Sequence, residues 1–269
     1  MNFAWSEKLK LGLVLVALSA LGQSHLVAEN TLSADQIIQK AVARAQNSGA
    51  RPGKGSYTYT KLTVMEEFDS AGKVKERKQK VYQVNFRNGA TYAKLVEVNG
   101  RPPAEADLKK QVENESSARQ MTGNAKSNKS DNRENFLTPE IVSRFDFTLI
   151  GQTNFNGRAT YQVAFHPKNP APPGHHMIDR LLDRISGLVL IDAEEFEIAR
   201  AELHLGSEVN LLGGVVGSLK KLVYTMTCTR LEDGLWFKTS SFGDFEGRKL
   251  IDAMRIKTSS QAVNFRRLL

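Results

Sequence analysis

The sequence predicts a mainly β domain of about ten or eleven strands with a few helices, an α+β chain in which the helices are accessory. Three observations lead there. From Ser56 onward most apolar residues alternate with polar ones at a period of two, the strand period. Tight-turn pairs recur at hairpin spacing: Asn88-Gly89, Asn99-Gly100, Asn156-Gly157 and Asp233-Gly234. Apolar residues at helical spacing are confined to short stretches.

The N-terminus is read separately. Lys8 and Lys10 precede the apolar run Leu11–Leu21, which is too short to span a bilayer as a helix. A basic segment, a short apolar segment and small residues beyond it are the pattern of a secretory signal. Cleavage after Ala28 fits, with Gly22 as a second candidate. This predicts a signal peptide over 1–28, an exported protein that is soluble after cleavage, and a single domain over 29–269. No cysteine lies near the cleavage site, which argues against a lipid anchor there. The one cysteine, Cys228, alternates with Leu222, Tyr224 and Met226 and reads as a small core residue.

Ser33–Gln46 predicts a helix. Ser33 and Gln36 form a capping box, and Ile37, Ile38, Ala41, Val42 and Ala45 make one apolar stripe. Asn47–Gly55 breaks the pattern. Ser56–Phe68, Val74–Phe86 and Ala90–Val98 then read as three meandering strands, rich in β-branched and aromatic residues. Arg101–Asn135 is a polar insertion. Pro102-Pro103 starts a thin helix there, and the rest has too few apolar residues to bury. Thr138-Pro139-Glu140 opens a short helix with Thr138 as cap.

Strands resume at Asp146–Ile150 and Ala159–His166. After the proline-rich Pro167–Gly174, Met177–Ile185 reads as an amphipathic helix ended by Gly187. Leu188–Ile191 is a strand, and Asp192–Glu195 reads as an acidic, solvated turn. Phe196–Leu205 prefers helix by composition, yet its place after a turn and among strands makes it a strand. Gly206–Gly217 is an apolar, glycine-rich loop without phosphate-binding spacing. Leu219–Leu231, Leu235–Phe245, Arg248–Thr258 and Ser260–Phe265 complete the strands.

No catalytic motif emerges. His166, His175 and His176 lack the spacing of a metal site and read as loop histidines. No cofactor is implied. The net charge is +8, and part of it lies in one hairpin. There Lys73, Lys75 and Arg77 fall on one face and Lys78 and Lys80 on the other. That division, without interleaved aromatics, excludes a one-sided nucleic-acid stripe. Peripheral contact with an anionic membrane, or with an acidic partner, stays open.

Several short strings together resemble the LolA-like, outer-membrane lipoprotein-sorting family, especially its large uncharacterised periplasmic members. They are Asn99-Gly100-Arg101-Pro102 before a charged helix; Phe145-Asp146-Phe147 with Asn156-Gly157-Arg158 and the strand Tyr161–Phe165; and Gly187–Asp192 followed by Glu197-Ile198-Ala199-Arg200-Ala201-Glu202. The resemblance implies an unclosed antiparallel half-barrel with covering helices, localisation in the bacterial periplasm, and no catalysis. It implies a carrier or sensor of lipid or lipoprotein acyl chains, with an envelope protein or lipoprotein as a further partner. The polar insertion and the basic charge depart from the small dedicated carriers. The cavity candidates are Tyr82, Val84, Phe86, Tyr161, Val163, Phe165, Tyr224 and Met226 on strands, with Ile178, Leu181 and Leu182 on a helical lid. The alternative is a periplasmic structural or protein-interaction domain with a filled core and no small ligand.

Overall fold

The computed structural model describes residues 32–47, 56–87, 90–110, 112–113, 137–174, 177–211, 217–249 and 252–268. The predicted signal segment, the Asn88-Gly89 turn, His175, His176 and most of the polar insertion lie outside these residues. The described strands and helices all fall within Ser33–Leu269.

Eleven strands form one antiparallel sheet. They are β1 Ser56–Phe68, β2 Val74–Arg87, β3 Ala90–Val98, β4 Phe145–Phe155, β5 Arg158–Pro167, β6 Ile185–Asp192, β7 Ile198–Leu205, β8 Val209–Leu211, β9 Gly217–Arg230, β10 Trp236–Lys249 and β11 Asp252–Leu268. The order across the sheet is β3-β2-β1-β11-β10-β9-β7-β6-β5-β4, with β8 added beside β9. The last strand, β11, pairs with the first, β1, and joins the N-terminal meander to the rest. Strands β3 and β4 stand at opposite edges and do not pair, so the sheet is an unclosed half-barrel.

That order explains the polar insertion. β3 and β4 are consecutive in sequence, so the link between them must pass from one edge to the other. On a flat sheet that is about 40 Å at the usual strand spacing. A short hairpin loop cannot span it.

The helices are α1 Ala34–Asn47, α2 over 105–110, α3 Pro139–Val142 and α4 Met177–Leu182. At the start of α1 the Ser33 amide donates to Gln36 Oε1 at 2.9 Å, and the Gln36 amide donates to Ser33 Oγ at 3.2 Å. The expected capping box is present. Ile37, Ile38, Ala41 and Val42 are buried on one side of the helix. Thr138 caps α3, accepting from the Ile141 amide.

The structure corrects several boundaries. The helix expected over Met177–Ile185 stops at Leu182, and Ile185 opens β6 opposite Leu205. Its apolar side chain fits the helical stripe and the buried strand face equally well, and sheet pairing decides. Gly187 is a strand residue rather than a helix stop. A Cβ there would lie 1.9 Å from the Glu202 carbonyl oxygen and 2.9 Å from the Phe165 ring, so only glycine lets β6, β7 and that ring close up. Arg248–Thr258 and Ser260–Phe265 are not two strands. β10 runs on to Lys249, and β11 is one continuous strand. Part of the glycine-rich loop, Val209–Leu211, pairs with β9 as β8. Phe196–Leu205 is a strand from Ile198 onward, paired on both sides despite its helical composition.

The turn at Asp192 is the largest correction. Glu194 is solvated as expected, but Asp192 is 0% exposed. Its carboxylate accepts from the Glu194 and Glu195 amides at 3.1 and 2.8 Å. It also takes both Arg158 Nε and Nη2, the latter at 2.9 Å. Burial pushes its pKa up, but Arg158 and the two amides outweigh burial and hold it below the usual aspartate value. The Arg158 pKa rises correspondingly, chiefly through its hydrogen bonds to Asp192.

Asp192→Ala should therefore lower the unfolding free energy by about 2–4 kcal/mol in urea titrations. Asp192→Asn should cost less, since its side-chain oxygen still accepts the two amides. A depressed folded pKa means that the stabilisation is complete above about pH 4 and fades as pH falls through the lower folded value. Wild type should lose stability more steeply than Asp192→Asn as the pH drops below about 4.

Candidate functional site

The strand register settles which side chains share a face. One unbroken cross-sheet row runs Val98, Lys80, Thr63, Ser260, Ser241, Met226, Ala201, Val189, Val163, Leu149. The neighbouring positions two residues along each strand belong to the same face. They include Tyr82 and Val84 on β2, Leu95 on β3, Phe165 and Tyr161 on β5, Leu203 on β7 and Tyr224 on β9. The opposite face carries Gln83, Asn85, Lys257, Lys221, Glu202, His204 and Gln162. The sheet thus has one apolar side and one mostly polar side.

Of the eight strand candidates, Tyr82, Val84, Tyr161, Val163, Phe165, Tyr224 and Met226 all fall on the apolar face. The side chain of Phe86 lies outside the described residues; its backbone pairs with Tyr57. Val84, Val163, Phe165 and Met226 are buried, whereas Tyr82, Tyr161 and Tyr224 are half-buried. On the lid, Leu181 and Leu182 are half-buried, and Ile178 is 48% exposed, turned to solvent.

The face is not uniform. Toward β1 and β2 an aromatic group forms around Tyr57, Tyr59, Phe237 and Phe265; Tyr59 stacks on Phe265 with ring centres 4.8 Å apart. Burial and a hydrogen bond to Asp233 push the Tyr57 hydroxyl up to about 12. Toward β9 and β7 stand Tyr224, Met226 and Leu203. Between them, β10 and β11 present small residues: Ser241, Gly243, Thr258, Ser260 and Ala262. Small residues between large ones make a shallow trough, crossed at Gly243 by the Phe245 ring, which leaves no room for a Cβ there, and the Ser241 and Ser260 hydroxyls satisfy each other at 2.9 Å. The sequence alone did not reveal this floor, because Ser, Thr and Gly in a strand also read as solvent-facing.

α1 covers the β4–β7 side. Phe196, at a positive φ of 56° in the β6–β7 turn, stacks on Tyr161 at 6.3 Å, and Lys40 of α1 sits 4.8 Å above the Phe196 ring. Arg44 at the end of α1 lies 2.8 Å from Glu197 and 3.4 Å from Glu195. Glu195 also accepts from Arg230 at 2.6 Å and from the Trp236 indole at 3.1 Å.

α4 is held from below. Arg144 is 6% exposed and donates to Asp183 at 2.6 Å, and to the Pro172 and Pro173 carbonyls at 3.0 and 3.3 Å. Beside this helix lies an open cleft of about 740 Å³, lined by Lys168, Arg180, Asp183, Arg184, Ser207 and Glu208 among others. Polar and apolar surface line it in nearly equal shares, and none of the eleven cavity candidates lines it. It is not the apolar cavity expected from the sequence. Among the described residues no group of three or more His, Cys, Asp or Glu is placed to hold a metal ion. His166 is exposed, and Cys228 is half-buried. No described helix is long and apolar enough to cross a membrane.

Arg144→Ala should leave the sheet folded while freeing the proline-rich segment. Limited proteolysis within Lys168–Gly174 should accelerate about tenfold, as expected for loss of a charged hydrogen bond of about 1.5 kcal/mol in a locally opening segment. An unchanged cleavage rate would show that Arg144 does not hold this segment.

No family model and no curated protein matches the chain. Solved structures do. An outer membrane lipoprotein-sorting protein domain from Vibrio parahaemolyticus is similar at 12% identity, covering 86% of this chain and 93% of that one, with a TM-score of 0.41. A LolA superfamily protein from Nitrosomonas europaea is similar at 11% identity, with coverage of 89% and 96% and a TM-score of 0.33. The MucA/MucB complex of Pseudomonas aeruginosa contains a chain similar at 9% identity, with coverage of 86% and 99% and a TM-score of 0.25.

Proposed function

We propose that this chain is an exported, non-enzymatic binding protein of the bacterial periplasm. It holds an apolar chain, a lipid or a lipoprotein acyl group, on the apolar face of the half-barrel and acts as a carrier or sensor. The observation that carries this reading is the single-faced register. Seven apolar and aromatic residues of β2, β5 and β9 lie on one side of the sheet, and Tyr82 and Tyr224 stand half-buried on either side of the small residues of β10 and β11. The signal-like N-terminus and the family resemblance supply the compartment and the kind of cargo. Binding would draw on apolar area removed from water, about 25 cal/mol per Å². Release would follow from handover to an envelope protein or from movement of a covering helix.

Native mass spectrometry of protein taken from the periplasm should show co-purifying phospholipid or acylated peptide. An apolar fluorescent probe should bind, and Tyr224→Glu should weaken that binding about tenfold, because a carboxylate on the trough wall must be desolvated. Tyr224 is half-buried, so the variant should still unfold cooperatively. Ligand-free protein that takes up no probe would instead favour an interaction domain with a filled core.

A further inference from the structure

One corner of the apolar face carries charge that the sheet itself does not require. On β2 the same face that presents Val84 and Tyr82 continues into Lys80 and then Lys78. Lys78 is neutralised: its ammonium lies 2.7 Å from Asp107 of α2. Lys80 is different. It is half-buried, sits between Thr63 and Val98 in the cross-sheet row, and has no ion pair among the described residues. The groups that act on it electrostatically are Lys78, Asp107 and Lys110. Among these groups the lysines outnumber the carboxylate two to one. Burial, then repulsion from Lys78, pushes the Lys80 ammonium below the usual lysine range. A partly desolvated cation beside an apolar trough is unfavourable unless something negative meets it.

The row also has a direction. From Val163, Val189, Ala201 and Met226 it passes through the hydroxyls of Ser241, Ser260 and Thr63 to Lys80, with Val98 beyond it at the sheet edge. Met226 on β9 and Lys80 on β2 are four strand spacings apart, about 19 Å on a flat sheet. Apolar, small polar and cationic surface follow one another over the length of a long acyl chain.

We infer that the Lys78–Lys80–Lys110 corner is a head-group subsite for a phosphate-bearing amphiphile whose chain lies across β1, β11 and β10 toward Met226. The inference rests on the apolar-face reading above and specifies its ligand. The excess of lysine favours phosphate: a phosphomonoester carries about −1.5 to −2 at neutral pH, whereas a carboxylate carries one. Charge-assisted hydrogen bonds from lysine to phosphate supply the affinity.

The test compares three ligands with the same oleoyl chain, lysophosphatidic acid, oleate and monooleoylglycerol, by displacement of an apolar fluorescent probe from the folded full chain. Wild type should bind lysophosphatidic acid about tenfold more tightly than monooleoylglycerol, and added salt should narrow the gap. Lys80→Gln should bring the two within about twofold while leaving monooleoylglycerol unchanged. Lys110→Gln, on the exposed surface of α2, should narrow the gap in part and removes any doubt about folding. Equal binding of the two ligands by wild type, or a gap that persists in Lys80→Gln, would overturn the subsite. Oleate matching lysophosphatidic acid would overturn the assignment to phosphate. If no ligand displaces the probe while the probe itself binds, the subsite fails alone. If the probe does not bind, the apolar-face reading fails with it.

Discussion

The buried carboxylate of Asp192 is the interaction on which the arrangement around the β6–β7 turn depends. A fully enclosed aspartate is costly unless each of its lone pairs is met. Here the fork of Arg158 and two backbone amides meet them. Arg158 begins β5, so the ion pair locks the β4–β5 hairpin to the end of β6. The same turn carries Phe196 and Glu195 outward. Phe196 covers Tyr161 and receives Lys40; Glu195 receives Arg44, Arg230 and Trp236. One turn therefore fixes α1 on the sheet and joins it to the β9–β10 hairpin. Without a pinned turn, α1 would have only its apolar stripe to hold it.

A second constraint is topological. Antiparallel strands added in sequence normally lie side by side, yet β3 and β4 end up at opposite edges because β11 returns to pair with β1. An open sheet of this width has one apolar face to cover and two edges that do not meet. Helices cover part of that face. α1 lies toward β4–β7, and α2, on the link that leaves β3, is tied to β2 by Lys78 and Asp107. The described start of that link is therefore part of the fold. Its first turns form part of the rim of the apolar face.

Much of this was legible in the sequence, for identifiable reasons. Period-two alternation and the Asn-Gly and Asp-Gly pairs located nearly every strand, because both signals are local. Alternation within a strand assigns its apolar side chains to one face, and only the register is needed to join the faces of β2, β5 and β9. What the sequence hid was non-local. Asp192 looked like an ordinary acidic turn residue, because its partner Arg158 lies on another hairpin. Ile185 and Gly187 looked helical, because the closing contact with Phe165 and Glu202 belongs to other strands. Ser241, Gly243 and Ser260 carry no apolar signal in the sequence, and only pairing with Met226 and Thr63 places them on the apolar face. The order of the strands, with β11 beside β1, has no local signature at all.

The same reasoning separates what the two faces can do. Lys73, Lys75 and Arg77 project from the polar face of the β1–β2 hairpin, where Lys75 and Arg77 pair with Glu67 and Glu66. Exposed pairs of this kind contribute little to stability and are easily screened. Lys80 lies only a few residues away on the other face, but there the neighbouring surface is apolar and its carboxylate partners are fewer than the lysines around it. Identical chemistry thus has two consequences within one strand. On the polar face the lysines are solvated surface, whereas on the apolar face a half-buried ammonium adjoins apolar side chains. An apolar groove alone selects for chain length and little else. Under the proposed function, a groove with positive charge at one end would also orient its ligand, with one end toward β2.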